Sequence, residues 1–335
     1  MSDLQPPSRR KILIIRFSSI GDIVLTTPII RAIKRQIANA EIHYLVKKQN
    51  AILLQSNPYV DQIHTYDENL KLLMQELKME NFDFVVDLQK NMRSLKIVRK
   101  LGCRHNTFPK HNFKKWVLVR FKVNFLPEKH IVDRYFEAVK GLKVRNDHEG
   151  LDFFIPESDQ YDIDDLPAIF ENGYVAVAIG AKHATKRIPA EKIIEIGNLL
   201  FKPIVLLGDK NDAIVGEEIE SKLNGKAYNA CGKFTINTTA SIVAQSDCVL
   251  TADTGIMHIA AALHKPIASL WGNTMPELGM YPYIAPDAPA ARIFEINTLP
   301  CRPCSKLGFK KCPKNHFACM NDISSYEVAD YINQF

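Results

Sequence analysis

The chain has 335 residues, of which 46% are apolar and 24% charged, with 15 Gly, 18 Pro and a net charge of +6. At roughly 100 to 200 residues per domain this length predicts two domains, each with its own core, and the composition excludes disordered, collagen-like and repeat classes. The longest apolar runs, such as Ile12 to Ile15, fall far short of the roughly 20 residues of a membrane span, and no export-type apolar stretch follows the polar segment Met1 to Arg10, so a cytoplasmic location is expected.

Lys11 to Phe17 is a continuous apolar run, as expected of a strand buried in a parallel sheet, and it ends in Ser18-Ser19-Ile20-Gly21-Asp22 before a helical pattern. Thr27 followed by Pro28 predicts that the regular helix starts there, with Pro at its first position. Strands are expected at Glu41 to Val46, Ile63 to Tyr66 and Phe82 to Leu88, with a helix from Leu70 to Glu80. This alternation predicts a doubly wound α/β domain.

From Lys90 to Arg145 the chain carries 16 Lys and Arg against three acidic residues, so the remainder is net acidic. Such a field attracts polyanions: nucleic acid, anionic lipid headgroups, or a phosphorylated and carboxylated glycolipid. A solvated lysine-rich helix face is the plainer reading, and Phe113, Trp116 and Phe121 within the stretch look like helix-packing residues.

An acidic, Pro-containing connector from Leu151 to Asn172 separates an N-terminal domain, 1–160, from a C-terminal domain, 170–335. The second series has strands at Tyr174 to Ile179, Pro203 to Gly208, Cys248 to Ala252 and Ile267 to Trp271. Its helices are expected at Ala190 to Phe201, Ala213 to Leu223, Ile236 to Gln245 and Gly255 to Leu263. A last helix from Ser324 to Asn333, capped by Ser324 or Ser325, is expected to cross back to the other domain. Ligands of such sheets sit outside the carboxyl ends of the strands, so the turns leaving those ends are the candidate site.

No G-x-G-x-x-G follows the first strand and no G-x-x-x-x-G-K-[ST] occurs, which demotes a dinucleotide-dependent enzyme and a P-loop NTPase. Asp22 in the first turn reads either as a helix N-cap or as a general base held by a rigid strand-to-helix turn. In the second half, Asp253-Thr254-Gly255-Ile256-Met257-His258 carries a strand into a helix N-terminus. Free backbone N–H groups, a hydroxyl and the helix dipole then meet at one point suited to a diphosphate. His258 is placed to donate to the same phosphates or to serve as a structural histidine. The turn Gly180 to Pro189 holds Lys182, His183, Lys186 and Arg187, which can neutralise phosphates. Asp209 or Asp212, after Gly208, can accept from a ribose hydroxyl or simply cap a helix. Cys301, Cys304, Cys312 and Cys319, with His316 among them, have the residue types for a tetrahedral zinc site. The second pair is not C-x2-C, however, and Pro303 and Pro313 fit a loop packed for other reasons.

Five motifs in order along the chain resemble the ADP-heptose:lipopolysaccharide heptosyltransferase family, glycosyltransferase family nine. They are Ser18 to Pro28, Phe82 to Gln89, Lys186-Arg-Ile-Pro189, Asp253 to His258 and the cysteine-rich tail ending Cys319-Met320. The resemblance implies a GT-B architecture, two Rossmann-like domains facing an open cleft, and inverting sugar transfer from a nucleotide donor without a metal ion or cofactor. It places the base at Asp22 and the donor-phosphate lysine at Lys186. It places donor binding at Asp253, Thr254, Gly255 and His258, and a nucleoside contact at Asp212, where the family often has Glu. Where some members have two threonines before the lysine, this chain has Ala181 and Lys182, which leaves the donor sugar open.

The implied partners are a nucleotide-sugar donor and an anionic glycolipid acceptor. Residues 90–145 would make a peripheral contact with the inner membrane face, with Arg93, Lys96, Arg99 and Lys100 recurring at helical spacing toward the acceptor's phosphates. Two other readings compete. Nucleotide-sugar 2-epimerases share the architecture but have no use for the basic stretch. A nucleic-acid-binding protein would use it, but no helix-turn-helix, zinc-finger or RNP-type signature accompanies the charge, so no nucleic acid partner is expected.

Overall fold

The computed structural model describes residues 9–67 and 69–335; the start of the polar N-terminal segment, residues 1–8, lies outside them. Buried parallel strands need apolar side chains on both faces, and the apolar runs become strands for that reason. The first elements are β1 (Arg10–Ile15), α1 (Ile20–Val24), α2 (Thr27–Gln36), β2 (Ala40–Lys47), β3 (Gln62–Tyr66) and α3 (Leu70–Met79). They are followed by β4 (Phe84–Asp87), α4 (Met92–Leu101), β5 (Arg104–Thr107), α5 (Asn112–Phe121) and α6 (Ile131–Phe136). The first sheet has the order β3-β2-β1-β4-β5, with every pair parallel. Ile12 to Ile15 at its centre are essentially inaccessible. Pro28 lies in the first turn of α2, as expected, although the cap is Thr26 and the separate short α1 precedes it.

The second series comprises β6 (Val175–Ala178), α7 (Ala190–Leu199), β7 (Ile204–Leu207), α8 (Ala213–Lys222), β8 (Ala227–Asn229) and α9 (Ile236–Gln245). It continues with β9 (Cys248–Ala252), α10 (Gly255–Ala262), β10 (Ile267–Trp271), β11 (Ala291–Glu295), α11 (Ala318–Asn321) and α12 (Ser325–Ile332). Its sheet runs β11-β10-β9-β6-β7-β8, all parallel. Counted from its own first strand, this is the dinucleotide-binding order 3-2-1-4-5-6, whose direction reverses between β6 and β9. The first sheet follows the same rule, with its reversal between β1 and β4.

The chain divides into two compact units. One holds residues 9–110 and 129–154, and the other holds 111–128 and 155–335. The final switch falls at the N-terminal side of the acidic connector, whereas no shift in composition marks the excursion of 111–128. The expectation that the last helix crosses back is corrected: α12 packs on α7 and β10 within the second unit. Lys192 Nζ on α7 donates to Ile323 O at 3.0 Å and Ser325 Oγ at 3.1 Å, and Tyr331 OH donates to Ala290 O at 2.6 Å. Ser324 supplies the cap, accepting from the Glu327 N–H.

The first unit closes on a buried charge. Arg31 of α2 is 1% exposed; its guanidinium meets both Asp147 oxygens at 2.8 and 2.9 Å, donates to Gly150 O at 2.9 Å and pairs with Asp152. Removing one partner of a buried ion pair leaves the other charge uncompensated. Arg31→Met is therefore expected to cost about 3–5 kcal/mol of stability, read as a lower urea midpoint at unchanged slope; an unchanged midpoint would contradict this.

Candidate active site

The turn leaving β1 is organised by a charge at the end of an apolar strand. Arg16, 7% exposed, donates through Nε to Ser18 O at 2.9 Å and through one terminal nitrogen to Leu88 O at 2.6 Å. Its other terminal nitrogen meets Asp22 Oδ1 at 2.6 Å. The second oxygen of Asp22 accepts from the Ser19 N–H at 3.0 Å and the Ser19 hydroxyl at 2.7 Å. Ser19 is thus the N-cap of α1, and Asp22 closes the box from the third helical position. Burial pushes the Asp22 carboxyl up, but the Arg16 charge and the Ser19 donors outweigh it and hold the group below the usual carboxylate range. Asp22 is therefore ionised at neutral pH, with 22% of its side chain exposed.

Neighbouring residues serve this turn. Gln89 Oε1 accepts the Phe17 N–H at 2.8 Å, tying the end of β4 to the end of β1. Asp87 caps its own turn, accepting from the Gln89 and Lys90 N–H groups and the Ser94 hydroxyl. The basic stretch is not one surface. Arg134 is buried, Lys90 and Lys110 are spent on backbone carbonyls, and 111–128 belongs to the other unit. Arg93, Lys96, Arg99 and Lys100 are exposed on α4, with Arg93 lying 4.9 Å over the Tyr66 ring.

In the second unit the turns after the adjacent strands β6 and β9 are joined by an ion pair. Lys186 Nζ lies 2.6 Å from Asp253 Oδ2, with 20% and 10% of the two side chains exposed. The Thr274 hydroxyl, beyond β10, donates to the same oxygen at 3.0 Å. Thr254 is the N-cap of α10, yet its side chain makes no capping bond and instead shares a 3.1 Å hydrogen bond with Thr251. The N–H groups that open α10 at Gly255 are thus not taken by the cap side chain. His258 lies on the buried side of the first turn, 2% exposed.

The rest of the cationic turn divides by role. Lys182 is exposed. His183 is driven toward its neutral form by burial and by the charges of Lys182 and Lys186. Arg187 donates to Ala181 O at 2.9 Å and meets Asp212 Oδ1 at 3.0 Å. Asp212 itself is 2% exposed and accepts the Asp209 N–H at 2.9 Å. Asp209 caps the turn by accepting the Asn211 N–H at 2.7 Å. A Cβ at Gly180 would lie 2.3 Å from the Asp212 carboxylate, and one at Gly208 would lie 2.8 Å from its Cβ. Both glycines are needed because the two strand ends close over this side chain.

The cysteine-rich tail braces the same turns, a role no sequence signal announced. Arg302, 7% exposed, donates to Gly272 O, Thr274 O and Ile296 O at 2.6 to 2.9 Å and pairs with Glu295 at 2.7 Å. It fixes the loop from which Thr274 reaches Asp253. The Phe309 N–H donates to Thr185 Oγ1 at 2.8 Å, and the Thr185 N–H donates back to Phe309 O at 3.2 Å, beside Lys186. Among the described residues, the cysteines do not gather their sulfurs into a metal-holding group; Cys301 Sγ is 3.9 Å from His316 Nε2. Burial pushes the Cys304 thiol up to about 11 and the Cys319 thiol up to about 12.

Two parallel sheets wound in this order are the fold of GT-B glycosyltransferases. The structure of E. coli ADP-heptose lps heptosyltransferase II matches with a TM-score of 0.73 over 97% of this chain and 98% of that one, at 21% identity. Residues 71–311 match the model of glycosyltransferase family 9 (heptosyltransferase), and the chain belongs to that family of enzymes. The matched span contains Lys186 and Asp253 to His258 and begins after Asp22. Over 79% of this chain and 84% of the relative, it is 23% identical to lipopolysaccharide heptosyltransferase 1 of Campylobacter coli. Over 97% and 99%, it is 24% identical to lipooligosaccharide heptosyltransferase 2 of Haemophilus ducreyi.

The Arg16–Asp22 pair makes a testable statement about charge. Its stabilisation is present above the unfolded carboxyl pKa of about 3.9 and is lost as pH falls through the lower folded value. Arg16→Met leaves only the Ser19 donors to oppose burial, so the Asp22 pKa is expected to rise above that of the wild type, measured by carboxyl carbon NMR titration. An unchanged titration would show that Arg16 does not set it.

Proposed function

We propose that this enzyme moves a heptose from ADP-heptose to an anionic lipopolysaccharide core or lipid A acceptor, with inversion at the anomeric carbon. The observation that supports this reading is the Lys186–Asp253 pair next to the α10 N-terminus, whose cap side chain, Thr254, makes no capping bond. An ammonium has three donors, and Asp253 with Thr274 holds it while using one. The remaining donors, with the α10 N–H groups after Thr254 and Gly255, suit a nucleoside diphosphate.

In the reaction an acceptor hydroxyl forms its bond to the anomeric carbon as the bond to the diphosphate oxygen breaks. The hydroxyl proton passes to Asp22, whose orientation Arg16 and Ser19 fix. Negative charge grows on the departing ADP, where Lys186 and the α10 N–H groups stabilise it. Lys182 adds positive charge at the diphosphate. Asp212 acts through Arg187, and His258 through the packing of the first turn of α10. The cations of α4 would meet the acceptor's phosphates, with the enzyme peripheral on the inner membrane face; among the described residues no helix is long and apolar enough to cross a membrane.

Incubation with ADP-heptose and a heptose-deficient core glycolipid in EDTA is expected to release ADP and add one heptose to the acceptor mass. Asp22→Asn is expected to lower kcat by about 10²- to 10⁴-fold while leaving donor affinity intact. Near-normal turnover by that folded variant would remove Asp22 from the role of base. Lys182, where some family members have threonine, favours a second reading with another nucleotide sugar as donor. Turnover with that sugar and not with ADP-heptose would establish it.

A further inference from the structure

Large aromatic side chains are mostly withdrawn from water, and α5 leaves three of them exposed. Leu118 is its one fully buried side chain, at 2%. Phe113, Trp116 and Phe121 are 74%, 52% and 59% exposed, and Phe125 just beyond is 61% exposed. The sequence suggested that these rings pack inside; instead Phe113 and Trp116, three residues apart, share one outward face. The rings form their own cluster, with Phe113 stacked on Trp116 at 5.9 Å and Phe121 edge-on to Trp116 at 5.5 Å. Between residues 112 and 126 the cations are Lys114, Lys115, Arg120 and Lys122, and no carboxylate occurs. Lys122 anchors the helix end, donating to Pro303 O at 2.7 Å and Cys301 O at 3.1 Å.

We propose that α5 is a membrane-docking helix whose exposed aromatic cluster enters the headgroup boundary of an anionic bilayer while its cations pair with lipid phosphates. Aromatic rings favour that boundary, and long cationic side chains reach from it to the headgroups. Charge complementarity selects this occupant. A second copy docked through the same face would set cation against cation. Single-stranded nucleic acid also stacks on aromatic rings, but these rings are mutually packed and flanked by Val117 and Val123, which suits acyl chains better than bases. The proposal deepens the peripheral-membrane part of the function proposed above and rests on it for the choice of a bacterial anionic lipid.

The test uses the full chain with vesicles of phosphatidylglycerol and phosphatidylcholine, without donor or acceptor. The chain has two tryptophans and Trp271 is fully buried, so quenching by lipids brominated on their acyl chains reports Trp116. Wild type is expected to sediment with the vesicles and to be quenched. The variant carrying Phe113→Ser, Trp116→Ser and Phe121→Ser is expected to bind at least ~10-fold more weakly while folding normally and transferring heptose to a deacylated, water-soluble acceptor at the wild-type rate. Equal vesicle binding by that variant, or sedimentation of wild type without quenching, would overturn the proposal. So would binding to single-stranded oligonucleotide in place of vesicles, or aromatic-dependent self-association without vesicle binding. A wild type that binds vesicles through these rings but transfers no heptose would support the docking helix and overturn only the enzymatic reading.

Discussion

The ion pair between Lys186 and Asp253 joins the turns that leave β6 and β9, where the strand order of the second sheet reverses. A carboxylate mostly withdrawn from water must be compensated, and Asp253 takes Lys186 and the Thr274 hydroxyl for that purpose. The same bond holds the ammonium at the residue that precedes the cap of α10. Structure and chemistry therefore make one demand here: what keeps the buried carboxylate satisfied also presents the cation.

The pattern repeats at the other strand ends. Asp22 is compensated by Arg16 from the end of its own strand, and Asp212 by Arg187. In each case the guanidinium also binds a backbone carbonyl of the turn, Ser18 O for Arg16 and Ala181 O for Arg187, so charge and loop shape are locked together. Arg302 extends the principle, holding by its carbonyl contacts the loop that delivers Thr274. The cysteine-rich tail thus supports these turns through an arginine and two hydrogen bonds between Phe309 and Thr185, one of them to the Thr185 hydroxyl.

Much of this was legible in the sequence. The central strands were, because a strand buried on both faces is a continuous apolar run; β9 and β10 match their expected limits. Of the four edge strands only β3, at Gln62–Tyr66, was. β5 is Arg-His-Asn-Thr, largely exposed, and β8 has only three residues. The residues Asp22, Lys186 and Asp253 stood out as polar groups in turns at strand ends. Their partners did not: Arg16 reads as the tail of an apolar run, and Thr274 and Arg302 lie far along the chain from Asp253. Phe113, Trp116 and Phe121 misled because aromatic residues at helical spacing are usually core, and only the placement of Leu118 shows which face turns inward. The last helix gave no periodicity that could tell one unit from the other.

The central claim is that Lys186, held by Asp253, binds the donor diphosphate, and calorimetric titration of ADP into wild type and Lys186→Met addresses it directly. The account predicts ADP binding that needs no metal ion and weakens at least ~10-fold in the variant, as expected for loss of a charge-assisted contact worth about 1.5–3 kcal/mol. Equal affinity in the two proteins, with the variant folded, would contradict it.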